Sequence, residues 1–282
     1  MTVPFPQLCF TLAAPYGAWG AASAPSATTA WKATELDPPK SAITGLLGAA
    51  LGVERTGLAA LAAAVRVAVR TGVRPVRDPM PDYHTVSRAH RPPDRTRWSR
   101  FEELRPVLSG LVEGGTLLSL REYWSCGVWA VAVAVPGDVS GESLKRLAAA
   151  LRTPRWPLYA GRKSCTLGLP PAPDIITTET GPVGALMKHT WPWDREGLKT
   201  LLAPLKALHD QQGASGALAW DEDYPGAPDP LADGSGMIQR VWRHDQPDPL
   251  ILPDGRIHPR FHDRTELRGT FPAPPAAETP SS

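Results

Sequence analysis

The 282-residue sequence is 42% apolar and 21% charged, which suits a folded, soluble protein of one large domain or two small ones rather than a disordered or fibrous chain. Lys and Arg total 30 against 28 for Asp and Glu, so net charge singles out no class of partner. The three cysteines, Cys9, Cys126 and Cys165, lie far apart without Cys-x-x-Cys spacing, which argues against a disulfide framework and a zinc knuckle and suits a reducing compartment.

In chain order, Leu8, Phe10 and Leu12 alternate with Cys9, Thr11 and Ala13, the pattern of a strand with one buried face, and Pro15-Tyr16-Gly17 reads as a turn. From Lys40 to Leu51 the apolar residues recur at helical spacing, with Pro39 at the start and Gly52 past the end. Gly45 and Gly48 inside that helix suggest a close approach to a sheet. A short Ala-rich helix, Leu58 to Ala64, leads into a second strand in which Val65, Val67 and Val69 alternate with Arg66, Ala68 and Arg70. Between Arg66 and Arg105 basic residues outnumber acidic ones, a stretch suited to a polyphosphate backbone. The Pro-, Arg- and His-rich part of it, Pro75 to Pro106, reads as an exposed excursion from the core, one form of which is a hairpin.

Thr116 to Leu120 and Val128 to Val135 are strand-like. In the second run Trp129, Val131, Val133 and Val135 share one face and alanines fill the other, where a helix from Ser140 to Arg152, with Ser140 as N-cap, is expected to pack. The order suggests an α+β fold with a ferredoxin-like, RRM-type sheet covered by helices on one face. Pro170 to Pro173 opens a linker, Asp194 to Gln211 reads as a helix interrupted by Pro204, and short strands are expected near Gly216 to Trp220 and Met237 to Arg243. Asp221, Glu222, Asp223, Asp229 and Asp233 form an acidic loop without nearby cations, which a polyanion would avoid. Residues 271–282 have little to bury and are expected to be a disordered tail. No basic n-region with an apolar stretch begins the chain, and its apolar runs fall short of the ~20 residues of a membrane span, so a cytoplasmic protein without a membrane partner is expected.

Four short segments carry chemistry. Lys40 and Ser41 stand at a helix start, where unpaired N–H groups and the helix dipole attract a phosphate, although Pro and Ser there also serve as caps. Trp19, in Ala18-Trp19-Gly20, suits a base-stacking platform or a core plug equally. Tyr83-His84-Thr85 suits RNA contact, an acid/base pair for cleavage at a 2′-OH, or an ordinary solvated loop. Gly161-Arg162-Lys163-Ser164 fails the spacing of an NTPase phosphate loop, yet two cations after a glycine suit backbone phosphates. His258 and His262 are four apart and Arg243-His244-Asp245 holds a lone His-Asp pair; with no further spaced ligands, neither metal nor cofactor is expected.

Leu12-Ala13-Ala14-Pro15, Ala18-Trp19-Gly20, the run from Pro38 through Lys40-Ser41 to Gly52, Asp82-Tyr83-His84-Thr85-Val86 and Leu158 to Cys165 occur in an order that resembles the CasD family, the crRNA 5′-handle-binding subunit of type I-E CRISPR Cascade, of the RAMP superfamily. The similarity covers about Leu8 to Leu167 well and the remainder loosely. It implies one RRM-like domain over residues 1–270, with a palm of about 5–76 and 107–170, a projecting β-hairpin thumb of about 77–106 and a β-rich C-terminal extension of about 171–270. It further implies a non-catalytic role in antiviral defence: capping the crRNA 5′ handle, contacting the backbone subunit CasC and the large subunit CasA, and meeting target DNA only indirectly, with the guide cut elsewhere by CasE. The RNA-binding set carried over is Trp19, Gly20, Lys32, Thr34, Lys40, Ser41, Tyr83, His84, Arg88, Arg162, Lys163 and Ser164, with no catalytic residue. The chain departs from the family at Lys32-Ala33-Thr34, where Arg-x-Thr is usual, at Pro39 for Thr, at Thr166 for Pro, and in a longer stretch from Ala172 to Gly213. Two other readings remain open at this level: a metal-independent endoribonuclease for repeat RNA, resting on Tyr83 and His84, and an interaction protein that never touches RNA.

Overall fold

A computed structural model describes residues 4–21, 29–89, 108–110, 114–213, 217–227, 238–247, 250–251, 257–258 and 261–270. The first half of the chain runs through β1 (Phe5–Gly17), β2 (Trp19–Gly20), β3 (Thr29–Lys32), β4 (Thr34–Glu35), α1 (Lys40–Leu51), α2 (Leu58–Ala64), β5 (Arg66–Val73), β6 (Val76–Arg77), β7 (Asp82–Ala89), β8 (Gly114–Arg121) and β9 (Trp124–Ala134). The second half adds α3 (Glu142–Arg152), β10 (Asp174–Thr178), α4 (Gly181–Lys188), α5 (Ala203–Gln212), β11 (Ala217–Asp221), β12 (Gln239–Pro247), β13 (Leu250–Ile251), β14 (Ile257–His258) and β15 (Phe261–Thr270). The result is a mixed α+β fold around one large antiparallel sheet in the order β10-β1-β9-β5-β11-β15-β12, with β6 on the start of β9.

β1 and β9 form the centre of that sheet, from Leu8 opposite Val133 to Gly17 opposite Trp124. The expected turn at Pro15-Tyr16-Gly17 does not form there; the strand runs on through it. Pro15, which has no N–H to donate, stands opposite Cys126, whose φ of 55° is left-handed, and this pair alone drops out of the ladder. Both faces of β1 are buried, not one. Leu8, Phe10 and Leu12 pack with Trp129, Val131 and Val133 beneath α1 and α3, while Cys9 and Ala13 join the β9 alanines in a second core with α4, Trp191, Trp193 and Trp220. Helices therefore cover both faces of the sheet, where one was expected.

α1 and α2 have the expected bounds, and Gly52 closes α1 at φ 74° with its N–H on the Ala49 carbonyl. Gly48 makes room for the Leu58 side chain of α2 rather than for the sheet, and Gly45 faces open space. α3 covers the Trp/Val face of β9 through Leu144, Leu147, Ala148 and Leu151, not the alanine face. Its N-cap is Gly141, not Ser140, and the Asp138 carboxylate accepts the Ser143 N–H at 2.8 Å. The expected long helix from Asp194 is a 3₁₀ turn, Pro192–Asp194, followed by α5, with Pro204 in its first turn where a missing N–H costs nothing. The expected strands at 216–220 and 237–243 appear as β11 and β12 and extend the large sheet. β8, the strand expected at 116–120, joins instead a three-stranded sheet in the order β3-β8-β7. The tail at 271–282 and most of the excursion between β7 and β8 lie outside the described residues. No described helix is long and apolar enough to cross a membrane.

His189 is buried in the second core and shares a 2.9 Å hydrogen bond with the Thr11 hydroxyl. Burial, then the Arg195 and Arg70 charges, pull its pKa down to about 4 against the opposing pull of Asp174. An unfolded histidine titrates near ~6.5, so the unfolded chain takes up a proton first; stability is whole above that pH and falls by roughly 3 kcal/mol as the pH drops through the window to about 4. Urea unfolding across this range is expected to show that slope in the wild type and to lose it in His189→Gln.

Candidate nucleic-acid interface

β1 and β9 meet at one end of the large sheet, where the Tyr16 and Tyr123 rings stack at 4.6 Å and 16°. The Arg162 guanidinium lies over the Tyr123 ring at 4.2 Å, completing a column of arginine on tyrosine on tyrosine. The loop that presents Arg162 is pinned to the strand end: Ala18 N–H donates to the Ala160 carbonyl at 3.2 Å, and Ala160 N–H to Cys165 at 2.7 Å. Gly161 is required between them, because its φ is 79° and a Cβ there would stand 1.7 Å from the Ala18 carbonyl oxygen. Cys165 N–H closes the turn on the Arg162 carbonyl at 2.8 Å, leaving Lys163 and Ser164 exposed.

The three-stranded sheet begins beside this column. Asp78 N–H donates to the Tyr123 carbonyl at 3.0 Å. Arg121 pairs across the sheet with Asp82 on one side and Lys32 on the other, and Ser119 with His84, so these side chains share one face. Trp31, Leu120 and Tyr83 share the other face, with Trp31 43% and Tyr83 62% exposed. Burial, then the charges of Asp78 and Asp82, push the Tyr16 phenol up to about 12, so it stays a neutral donor and those carboxylates lie near the column. Among the described residues, Arg162 Nη1, Arg121 Nε and Ser119 Oγ are buried without a hydrogen-bond partner. Buried donors left open in this way carry a desolvation cost. Exposed Lys32 and Lys163 suit the phosphates of a single strand; Tyr123 is 6% exposed and belongs to the core, so the rings here that can meet a base are those of Trp31 and Tyr83.

The expected site residues divide between this seam and the interior. Arg162, Lys163 and Ser164 stand together on the loop; Lys32, Tyr83 and His84 stand on the three-stranded sheet, with His84 Nε2 at 3.6 Å from the Asp82 carboxylate. Arg88 lies on β7 opposite Gly115, and its side chain lies outside the described residues. Trp19 is 1% exposed against Trp124 and Trp129, with centroids at 5.4 and 5.6 Å, so it plugs the core and stacks on no base. Gly20 is exposed beside it. Thr34 is buried, and its hydroxyl accepts the Trp19 N–H at 2.9 Å and donates to the Glu35 carbonyl at 3.0 Å, a bracing role. Ser41 is half-buried in the first turn of α1.

Lys40 is not placed for a phosphate. It is 5% exposed and donates at 2.7 Å to Asp221, whose other carboxylate oxygen accepts from Arg264 at 2.8 Å. Arg264 also grips Asp245 and Glu266. Burial opposes its charge, and the hydrogen bonds and charges of Asp245, Asp221 and Glu266 overcome that and raise its pKa. The acidic stretch thus has cations after all: Asp223 pairs with Arg66 and Glu222 with Arg240, while Asp229 and Asp233 lie outside the described residues. Asp245 belongs to Arg264, and the partner of His244 is Asp263 at 2.7 Å.

Tyr16, Tyr123 and Arg121 were not singled out in the sequence. The aromatic doublet Tyr123-Trp124 after Arg121-Glu122 was the available signal. Glu122 ties the seam together by accepting from Trp31 Nε1 at 3.0 Å, from Thr34 N–H at 3.1 Å and from Arg77.

Comparison with known proteins identifies the family. The family described as CRISPR-associated protein (Cas_Cas5) matches residues 7–226. The CRISPR system Cascade subunit CasD of Escherichia coli (strain K12) is 31% identical over 179 residues, which cover 58% of this chain and 68% of that protein. Among solved structures, a chain of a CRISPR RNA-guided surveillance complex aligns over 97% of this chain and 92% of its own with a TM-score of 0.55 at 20% identity, a likeness of fold. A structure described as a Cas protein aligns over 95% of this chain and 99% of its own with a TM-score of 0.43 at 22% identity.

Proposed function

The chain belongs to the CRISPR-associated Cas5 family, and from that membership we propose that it is a non-catalytic RNA-binding subunit of a type I-E Cascade, capping the 5′ handle of the crRNA in the cytoplasm. The observation that carries this reading is the Gly161-fixed loop that seats Arg162 on Tyr123 and offers exposed Lys163 beside the three-stranded sheet with its exposed Lys32, cations suited to phosphates, while Trp31 and Tyr83 of that sheet offer exposed rings for bases. In this reading the large sheet with α1 and α3 acts as a ferredoxin-like palm, and the β7–β8 hairpin acts as the thumb that wedges against the RNA and touches CasC. The remaining surface meets CasA, and target DNA is met only through the guide. The likeness to a Cascade subunit named CasD supports the assignment.

The test is nuclease protection of the crRNA in complexes assembled with and without this chain. The handle is expected to be protected only when the chain is present, and repeat RNA incubated with the chain alone in EDTA is expected to stay intact. Protection without the chain would remove the capping role; specific cleavage in EDTA that His84→Ala abolishes would replace it with an endoribonuclease.

A further inference from the structure

A groove of about 510 Å³ lies between the Glu35–Asp37 loop, the end of β5 and the end of α5, within the range of ligand-holding clefts. It shares Asp37, Thr71, Ala217, Arg268 and Thr270 with a neighbouring depression of about 370 Å³ over β11 and β15, so the two form one channel. Its acids are already engaged: Asp37 accepts the Thr71 hydroxyl at 2.8 Å and Trp129 Nε1–H at 3.2 Å, and Glu35 accepts from Arg243 at 3.1 Å.

The Arg74 guanidinium is not. It has no hydrogen bond or ion pair among the described residues, while its main chain is clamped by Gln212, which accepts the Arg74 N–H at 2.6 Å and donates to its carbonyl at 3.3 Å. The cation is thus offered to the groove from a fixed backbone, which lowers the cost of binding. Arg77 lines the same groove, with its guanidinium already held by Glu122. β6 leads from there directly to the column, with Val76 opposite Ser125, Arg77 opposite Trp124, and Asp78 N–H on the Tyr123 carbonyl.

We infer that this groove is a second RNA subsite, which takes the continuation of the strand held at the Arg162–Tyr123–Tyr16 column and places Arg74 on its phosphates. The inference rests on the reading of that column as an RNA surface. A docked polypeptide fits less well, because it would need buried aromatic or aliphatic anchors, and the shared floor offers Thr71, Ala217 and Thr270 instead.

The test measures binding of single-stranded handle RNAs of increasing length to the full chain, for the wild type, Arg74→Glu, the milder Arg74→Gln and the Arg162→Ala/Lys163→Ala pair, at several salt concentrations. In the wild type, lengthening the RNA past the column is expected to tighten binding about fivefold and to steepen the salt dependence by about 0.7 per added phosphate. Arg74→Glu should abolish that increment and Arg74→Gln should reduce it. If both variants keep the full increment while the Arg162/Lys163 pair weakens every RNA, the groove is off the path and this inference alone fails. If the wild type binds no RNA at all, the reading of the column fails and takes the inference with it. Loss of another subunit from the assembled complex in Arg74→Glu, with the RNA increment intact, would assign the groove to a polypeptide and overturn the inference.

Discussion

Replacing Asp221 with alanine is expected to destabilise the fold by about 3–5 kcal/mol, because it strands the buried Lys40 ammonium, leaves the Val67 N–H open and takes from Arg264 one of its three carboxylates. Asp221 is 3% exposed; one carboxylate oxygen accepts from Lys40 at 2.7 Å and from the Val67 N–H at 2.9 Å, the other from Arg264 at 2.8 Å. These bonds tie the start of α1 to β5 and to the outer strands β11 and β15, so the loss should reach the whole C-terminal side of the sheet. Urea unfolding of the single variant checks the magnitude. The pair Lys40→Met with Asp221→Ala should recover part of the loss, since breaking one half of a buried pair costs more than removing both. A loss below about 1 kcal/mol in Asp221→Ala would mean the cluster is hydrated and the network does not hold the sheet together. The same experiment separates Lys40 from RNA binding: in the folded double variant, RNA affinity is expected to match the wild type.

Lys40 also shows why part of the site was illegible in the sequence. Its position at a helix start argued for a phosphate, and nothing local revealed a carboxylate 181 residues away that takes the charge. Trp19 misled in a related way, since an indole suits a core and a base equally and only the packing of Trp124 and Trp129 decides between them. What local pattern does determine was read well. α1 and α2 follow from their apolar spacing and the terminal glycine, and the alternation in β1, β5 and β9 marks true strands. Periodicity says that a face is buried but not by what: the β9 alanines looked like room for the helix from Ser140, and α4 with the large side chains Trp191 and Trp220 fills it instead. Arg162 and Lys163 were legible because a glycine followed by two cations forms a loop whose chemistry is set locally. Tyr16 and Tyr123 were not, because their value comes from stacking across two strands.

The Arg162→Ala/Lys163→Ala pair is therefore the sharpest probe of the proposed function. Lys163 is exposed, and Arg162 has one ring beneath it and, among the described residues, a guanidinium nitrogen without a partner, so neither side chain is needed for the core. Gly161 and the Ala160–Cys165 bond hold the loop by its main chain, and the variant should unfold within about 1 kcal/mol of the wild type. Its effect on RNA should be large. Each phosphate contact on a single strand contributes about 0.7 to the salt slope, so losing two should lower the slope by about 1.4 and weaken binding at 0.1 M salt by roughly ten- to a hundredfold. The affinity should fall for every sequence alike, because these side chains hold backbone and not base edges. Tyr123→Leu, which keeps both cations but removes the ring that fixes Arg162, should weaken binding with the salt slope nearly intact. If instead the double variant kept its slope while Tyr123→Leu lost affinity, the column would serve only to shape the loop, and the phosphates would have to be sought along Lys32 and Arg121.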